Sequence, residues 1–249
     1  MLFSNSLRAD GAASSSGSAE QFGNDVIISL GGWSLNSNTA SKTNQLINYQ
    51  AVTLMHELGH NFGLDHAGAN STPNYKPNYW SVMNYLYQLR GLGANPAGTT
   101  ATQRWLNYYN NDSDWCSHLD NSSCGDPAQF IIDYSDGSGA SLDETALQES
   151  NHLGRGSVGG AYADWDLSGN FSAFPVSADI NKDGFRNILN DYNDWGNLVF
   201  PFSRYATGNA GVSPMSRNRN SFLSPLHNDQ QPAARETPPP PAFFQWLAR

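Results

Sequence analysis

No stretch of this sequence approaches the roughly 18 consecutive apolar residues that a membrane-spanning helix needs. Charged residues are scarce, at 14%, which excludes a coiled coil or a charge-laced helical bundle. Basic residues are scarcer still. Thirteen Lys and Arg face 22 Asp and Glu, and the net charge of −9 argues against a nucleic-acid backbone as partner. Two cysteines are present among 249 residues, so no disulfide framework replaces a core. Cys116 and Cys124 lie in a Ser/Asn/Asp-rich loop, where a short disulfide in an oxidising compartment and a pair of free thiols are the two readings. The first twenty residues lack the apolar segment of about 7–15 residues that marks a secretory signal. What is abundant is Gly (23) and Pro (13), which predicts a loop-rich globular chain long enough for one sizeable domain.

The acidic residues are unevenly placed. Residues 111–195 hold 15 of the 22, against only Arg155, Lys182 and Arg186. Such a block is either a solvated face or a binder of cations. Secondary-structure signals are sparse. Leu2–Leu7 suits a short strand, and the Ser/Gly/Ala-rich residues 8–24 read as a loop. Asp25–Trp33, "DVIISLGGW", is the best strand. Residues 44–61 carry helical periodicity from Leu46, Ile47, Leu54, Met55, Leu58 and Phe62, with Gly63 just past the last turn. Ser141 and Glu144 form a capping box that predicts a short helix.

"MHELGHNFGLDH", Met55–His66, crowds three of six histidines into one short segment. Residues four apart on a helix share a face, so His56 and His60 point the same way. Glu57 is rotated from His56 by about 100 degrees, which leaves it free to work on a water. Gly63 lets the chain turn sharply and bring His66 back to the same point. Three imidazoles and an open fourth position are the arrangement of catalytic zinc. Zinc lowers the pKa of bound water towards ~7 and polarises a carbonyl, so Glu57 is expected to take a proton from that water and pass it to the leaving amine. His118, His152 and His227 have no such company and read as ordinary polar residues.

The spacing HExxHxxGxxH resembles the metzincin clan of zinc endopeptidases. The resemblance implies that His56, His60 and His66 are zinc ligands, Glu57 the general base and Gly63 the turn glycine. It further implies a methionine turn beneath the metal, supplied by Met83 in "SVMNY". The Met-x-Tyr form looks like the astacin and serralysin branches, which gives Tyr85 the role of stabilising the transition-state oxyanion. The fold implied is α+β, with a small twisted sheet, an active-site helix and an irregular lower half. A protein or peptide substrate would lie along an edge strand, identified with Asp25–Trp33, and the protein would be secreted. "GSAEQFGN" is weakly similar to the loop before that strand in matrixin-like enzymes. The resemblance covers about residues 18–90.

Two acidic-glycine loops follow. "DINKDG" sets Asp179, Asn181 and Asp183 at alternate positions before Gly184, the opening of a calcium loop. "DWDLSGN" repeats the theme with Asp164, Asp166 and Ser168, and Asp191 is a candidate to complete a shell. The twelfth position of the "DINKDG" loop is Asn190 where an EF-hand has a glutamate, so Ca²⁺ is expected there in a dockerin- or thrombospondin-like loop.

The resulting expectation is a zinc endopeptidase with a catalytic core over residues 1–90, a loop-rich lower subdomain over 91–205 and a poorly ordered Pro-rich tail over 206–249. Two alternatives stand beside it. One is a calcium-dependent binding or scaffold module with a non-functional protease remnant. The other is a zinc amidase acting on a small peptide or cell-wall substrate. Because only Ser/Gly/Ala-rich sequence precedes Asp25, the core is expected to be truncated. It should have two or three upper strands, no helix before about residue 40, and Ile27, Ile28 or Leu30 exposed as an apolar patch.

Overall fold

The computed structural model describes residues 1–35, 40–68, 74–89, 91–92, 132–150, 164–200, 236–239, 241 and 243–244, with side chains of the main helix given from Thr43. Cys116, Cys124, His118, His152 and His227 lie outside these residues. The architecture is a small α+β arrangement with a short sheet and one long helix. Strands β1 (Leu2–Phe3), β2 (Gly17–Ala19) and β3 (Val26–Ile28) form one sheet in the order β1-β3-β2. β1 is parallel to β3, with Leu2 opposite Ile27, whereas β2 is antiparallel, with Ser18 opposite Ile27.

That order corrects two readings. β3 sits in the middle, so Asp25–Trp33 is not the edge. Among the described residues β2 is an edge, within a segment read as loop. Its Gly-Ser-Ala sequence has little strand propensity, and the backbone pairing with β3 overrides it. After β3 the chain tightens into a 3₁₀ turn, Gly31–Trp33, and the strand stops short of Trp33.

Helix α1 (Ala40–Asn61) runs beside the sheet. Its buried stripe is only partly apolar. Tyr49 and Val52 are buried, but so are Gln45, Asn48, Thr53, His56, Glu57 and His60, while Ile47 is exposed. Unpaired polar groups are costly to bury, so such a stripe marks a helix whose inner face carries a site. α1 ends in a Schellman motif: Leu64 N–H bonds Gly59 C=O at 2.8 Å and Gly63 N–H bonds His60 C=O at 2.9 Å, with Gly63 at φ 88°.

The expected apolar patch is covered. Ile28 and Leu30 are buried with Trp33, Leu35, Tyr49 and Phe243, and Ile27 is only partly exposed. Phe243 and Phe244 stand edge-on to Trp33 with ring centroids 5.3 and 5.2 Å away. The reading of 206–249 as tail therefore needs correcting for its described end. Two aromatic rings contribute enough apolar surface to seat that segment on the sheet, whatever its proline content.

The lower half has its own core, in which Trp80, Leu86 and Tyr87 meet Leu142, Leu147, Trp165, Ile180 and Leu189. Strands β4 (Leu142–Asp143) and β5 (Ile188–Leu189) pair antiparallel across it. The expected helix at Ser141–Glu144 is absent. Glu144 does not reach back to cap Ser141; its buried carboxylate accepts N–H bonds from Ile180, Asn181 and Asn187. A short helix α2 (Asp194–Asn197), capped by Asn193, closes the described lower half.

Candidate metal centre

α1 carries His56 and His60 one turn apart, and the Schellman turn brings His66 back to them. The three Nε2 atoms converge. His60 Nε2 lies 3.2 Å from that of His56 and 3.0 Å from that of His66. His56 Nδ1 faces Val82 C=O at 2.8 Å and His60 Nδ1 faces Leu64 C=O at 2.9 Å. A carbonyl only accepts, so these contacts place the proton on Nδ1 and leave the Nε2 lone pairs pointing at one another. Burial pushes the His56 imidazolium down to about 4, against the opposing charge of Glu236, so the ring is neutral near pH 7.

Glu57 is fully buried, and neither of its carboxylate oxygens has a hydrogen-bond partner. Burial pushes its carboxyl well above the usual carboxylate range, and the charge of Glu236 adds to the effect. Three converging ring nitrogens and an orphaned carboxylate fit a bound divalent cation. Tetrahedral ligands at ~2.0–2.1 Å from zinc stand roughly 3.3 Å apart, close to the observed nitrogen separations.

The floor of the site is the turn around Met83, which is buried with Val52, Leu64, Tyr79, Val82 and Tyr134. The turn is stitched from both sides. Val82 N–H bonds Asp133 C=O, Asn84 Nδ2 donates to the carbonyls of Lys76 and Tyr79, and Leu86 N–H returns to Asn84 Oδ1. Ser81 Oγ and Tyr79 OH donate to Asp194, which also accepts Ser135 N–H. Asp194 is buried. Burial pushes its carboxyl up to about 6 against the pull of its three donors.

Tyr85 follows the turn and faces the histidines. Its ring centroid is 4.3 Å from that of His66 and 6.0 Å from that of His56. Burial, then the Glu236 charge, pushes the Tyr85 hydroxyl far up, so it is a donor across the working pH range.

The residue that sequence reasoning missed is Glu236. Its Oε1 lies 2.9 Å from His60 Nε2 and 3.2 Å from His66 Nε2, and its Oε2 lies 3.5 Å from His56 Nε2. Tyr85 OH donates to Oε2 at 3.1 Å. His56, His60, His66 and Glu236 form one group with geometry suited to a metal ion. The side chain is 5% exposed. Burial would raise its carboxyl; the charge of His56 and hydrogen bonds from the three imidazoles, acting when those rings carry a proton on Nε2, hold it well below the usual range.

The acidic loops fold as two copies of one design. Asp164 accepts the N–H groups of Ser168 and Gly169; Asp179 accepts those of Asp183 and Gly184. The fourth residue of each, Leu167 or Lys182, takes positive φ, 57° and 60°. Each loop is tied to a buried glutamate. Glu149 accepts from Trp165 and Ser172, and Glu144 from Ile180 and Asn187, the second and ninth loop positions in both cases. Glu149, Asp164 and Asp166 gather their oxygens within 4.8 Å. Ser168 turns its hydroxyl to Asn170 C=O, and Asn181 Nδ2 bonds Asp183. Asp191 does not join either loop. It accepts Ser135 Oγ and Gly139 N–H, which fastens the 135–139 turn.

Residues 2–147 match the family model Reprolysin_5, described as metallo-peptidase family M12. The match covers more than half of the chain and includes the histidine motif and Met83, and the chain belongs to that family: it is a metallopeptidase. No curated protein and no solved structure matched the chain.

Proposed function

We propose that the chain is a zinc-dependent endopeptidase that cleaves internal peptide bonds of proteins. The observation that carries this is the buried, unpartnered Glu57 carboxylate beside three converging imidazole nitrogens. His56, His60 and His66 would hold the ion, which when bound would polarise the scissile carbonyl and acidify a water. Glu57 takes the proton of the attacking water as the new C–O bond forms. It then delivers that proton to the amine nitrogen as the C–N bond breaks, so no covalent enzyme intermediate arises. Tyr85 OH would donate to the carbonyl oxygen as it gains charge, a reading supported by its ring facing His66 and His56.

Substrate would pair with β2. Gly17 of that strand packs against Glu57, and a Cβ there would lie 2.8 Å from Glu57 Cγ. Main-chain pairing along an edge accepts many sequences, as a protein-degrading enzyme requires. The test is hydrolysis of casein by wild type and Glu57→Gln, each with measured zinc content. The variant should keep its zinc and lose at least a hundredfold in rate. Near-normal turnover would refute the general base. Cleavage confined to short peptides would favour the amidase, and zinc binding without hydrolysis of any amide would favour a binding module.

Calcium in the twin loops is a second element of this proposal. The supporting observation is that Glu144 and Glu149 make matching contacts to the two loops, so each loop has a carboxylate from a neighbouring segment where its own twelfth residue provides none. Calcium at extracellular levels suits such modules, which bind at about 10⁻⁴–10⁻³ M. It agrees with work outside the cell and with a bridged Cys116–Cys124 pair.

A further inference from the structure

The metal centre described above has an occupant from the chain itself. Glu236 lies against all three Nε2 atoms and, with zinc bound, would take the position that a catalytic site keeps for water and substrate. It touches all three histidines and Tyr85, and the next residue adds a second clasp, with Thr237 N–H donating to Tyr85 OH at 2.9 Å. The histidine triad and Tyr85 are thus engaged by one dipeptide, whereas Glu57 is not.

The segment is held at its far end too. Phe243 is buried against Trp33 and Tyr49, and Phe244 packs beside it. Between the clasp and this anchor the described residues are Pro238 and Pro239, which are neither helix nor strand, and Pro241, which is helical with Phe243 and Phe244. Prolines hold a fixed φ and offer no N–H. Such a segment cannot donate to an edge strand in the way a substrate would. It can occupy the cleft without adopting the paired geometry that leads to cleavage.

We infer that Glu236 and Thr237, anchored through Phe243 and Phe244, form a built-in latch, in which Glu236 serves as a displaceable fourth ligand that keeps the peptidase closed until it is withdrawn. The inference rests on the zinc reading of the triad. In the closed form Glu57 and Tyr85 are in place, but no substrate carbonyl can reach them.

Full-length wild type, Glu236→Gln and Glu236→Ala are loaded with zinc. Metal content, affinity for acetohydroxamic acid (a small chelating ligand) and casein hydrolysis are then measured. Cobalt-substituted protein supplies a visible spectrum that reports loss of a carboxylate ligand. Both variants should retain one metal per chain, change the cobalt spectrum, bind the hydroxamate at least tenfold more tightly and hydrolyse casein at least tenfold faster. Glu236→Gln keeps the size of the side chain, so a gain shared by both variants is not a folding artefact. Retained zinc with unchanged hydroxamate affinity and rate would overturn the latch and leave the peptidase reading standing. Loss of zinc from both variants would make Glu236 a permanent structural ligand and also overturn the latch. A wild type that takes up no zinc would instead remove the triad reading on which the latch rests.

Discussion

Gly59 of α1 and Met83 of the turn beneath it are packed so closely that a Cβ on the glycine would fall inside van der Waals contact of Met83 Sδ and lie 3.2 Å from the Tyr134 ring. The contact lies between the two histidines on the helix. Through Val82 C=O the same turn also orients His56. Gly59→Ala should therefore push the turn away, costing about 1–3 kcal/mol of stability and weakening zinc binding together. In a double-mutant cycle, Met83→Ala should relieve part of that cost, because the sulfur it would strike is gone. Thermal melts and zinc titrations of the four proteins check this, and strict additivity would show that the two residues do not meet.

Gly63→Ala should be worse for metal than for fold. The residue has φ 88°, and a Cβ would lie 2.8 Å from Phe22 Cδ1. The left-handed backbone alone costs an L-residue about 1–2 kcal/mol. The turn also sets where His66 arrives. The expected result is a folded α1 with zinc affinity reduced at least tenfold. A variant with wild-type affinity would show that His66 reaches the site by another route.

Asp194 makes the stability of the lower half pH-dependent in an unusual direction. Its folded carboxyl titrates at about 6, above the 3.8 of the unfolded chain. The folded state thus holds the proton more tightly. The resulting stabilisation is complete below pH ~4 and is lost as pH rises through 6, by up to about 3 kcal/mol. Wild type should exceed Asp194→Asn most at pH 4, and the gap should narrow by pH 7. Melting curves of both proteins across that range test it, and a gap that widens with pH would mean the carboxylate is better solvated than its burial indicates.

Calcium held by the folded loops as proposed should raise the melting temperature, because the unfolded chain offers no such site. Tenfold over its dissociation constant, the gain is about 1.4 kcal/mol. Glu149→Gln and Asp164→Ala should each remove much of it without changing zinc content. No shift in millimolar calcium would remove the ion from these loops.

The triad is legible in sequence because its geometry is local. Spacings of four and six along one helix and one turn bring His56, His60 and His66 together without any long-range information. Met83 becomes legible only after the helix is identified, because a lone methionine has no signature. Glu236 has no local signal at all. It sits 170 positions from His66, in a proline run whose composition suggests a linker. Glu144 misleads for a related reason. Its spacing from Ser141 matches a helix cap, but Leu142 and Leu147 are drawn into the core of the lower half, the segment pairs as a strand, and the carboxylate serves a loop 36 residues away. The edge strand is likewise hidden in Gly17–Ala19, since pairing partners, not side chains, make it a strand.

The distance along the chain between His66 and Glu236 also sets an order of events during synthesis. The motif, the helix and the Met83 turn leave the ribosome first. At about 5–20 residues per second, roughly 10–30 s pass before Glu236 follows. For that interval the nascent chain carries its histidines and Glu57 with nothing from its own tail to cover them. Arrival of metal before or after Glu236 then decides whether the cleft first meets a solvent molecule or the chain's own carboxylate. Translation speed through residues 67–235 thereby becomes a parameter of how the enzyme is born.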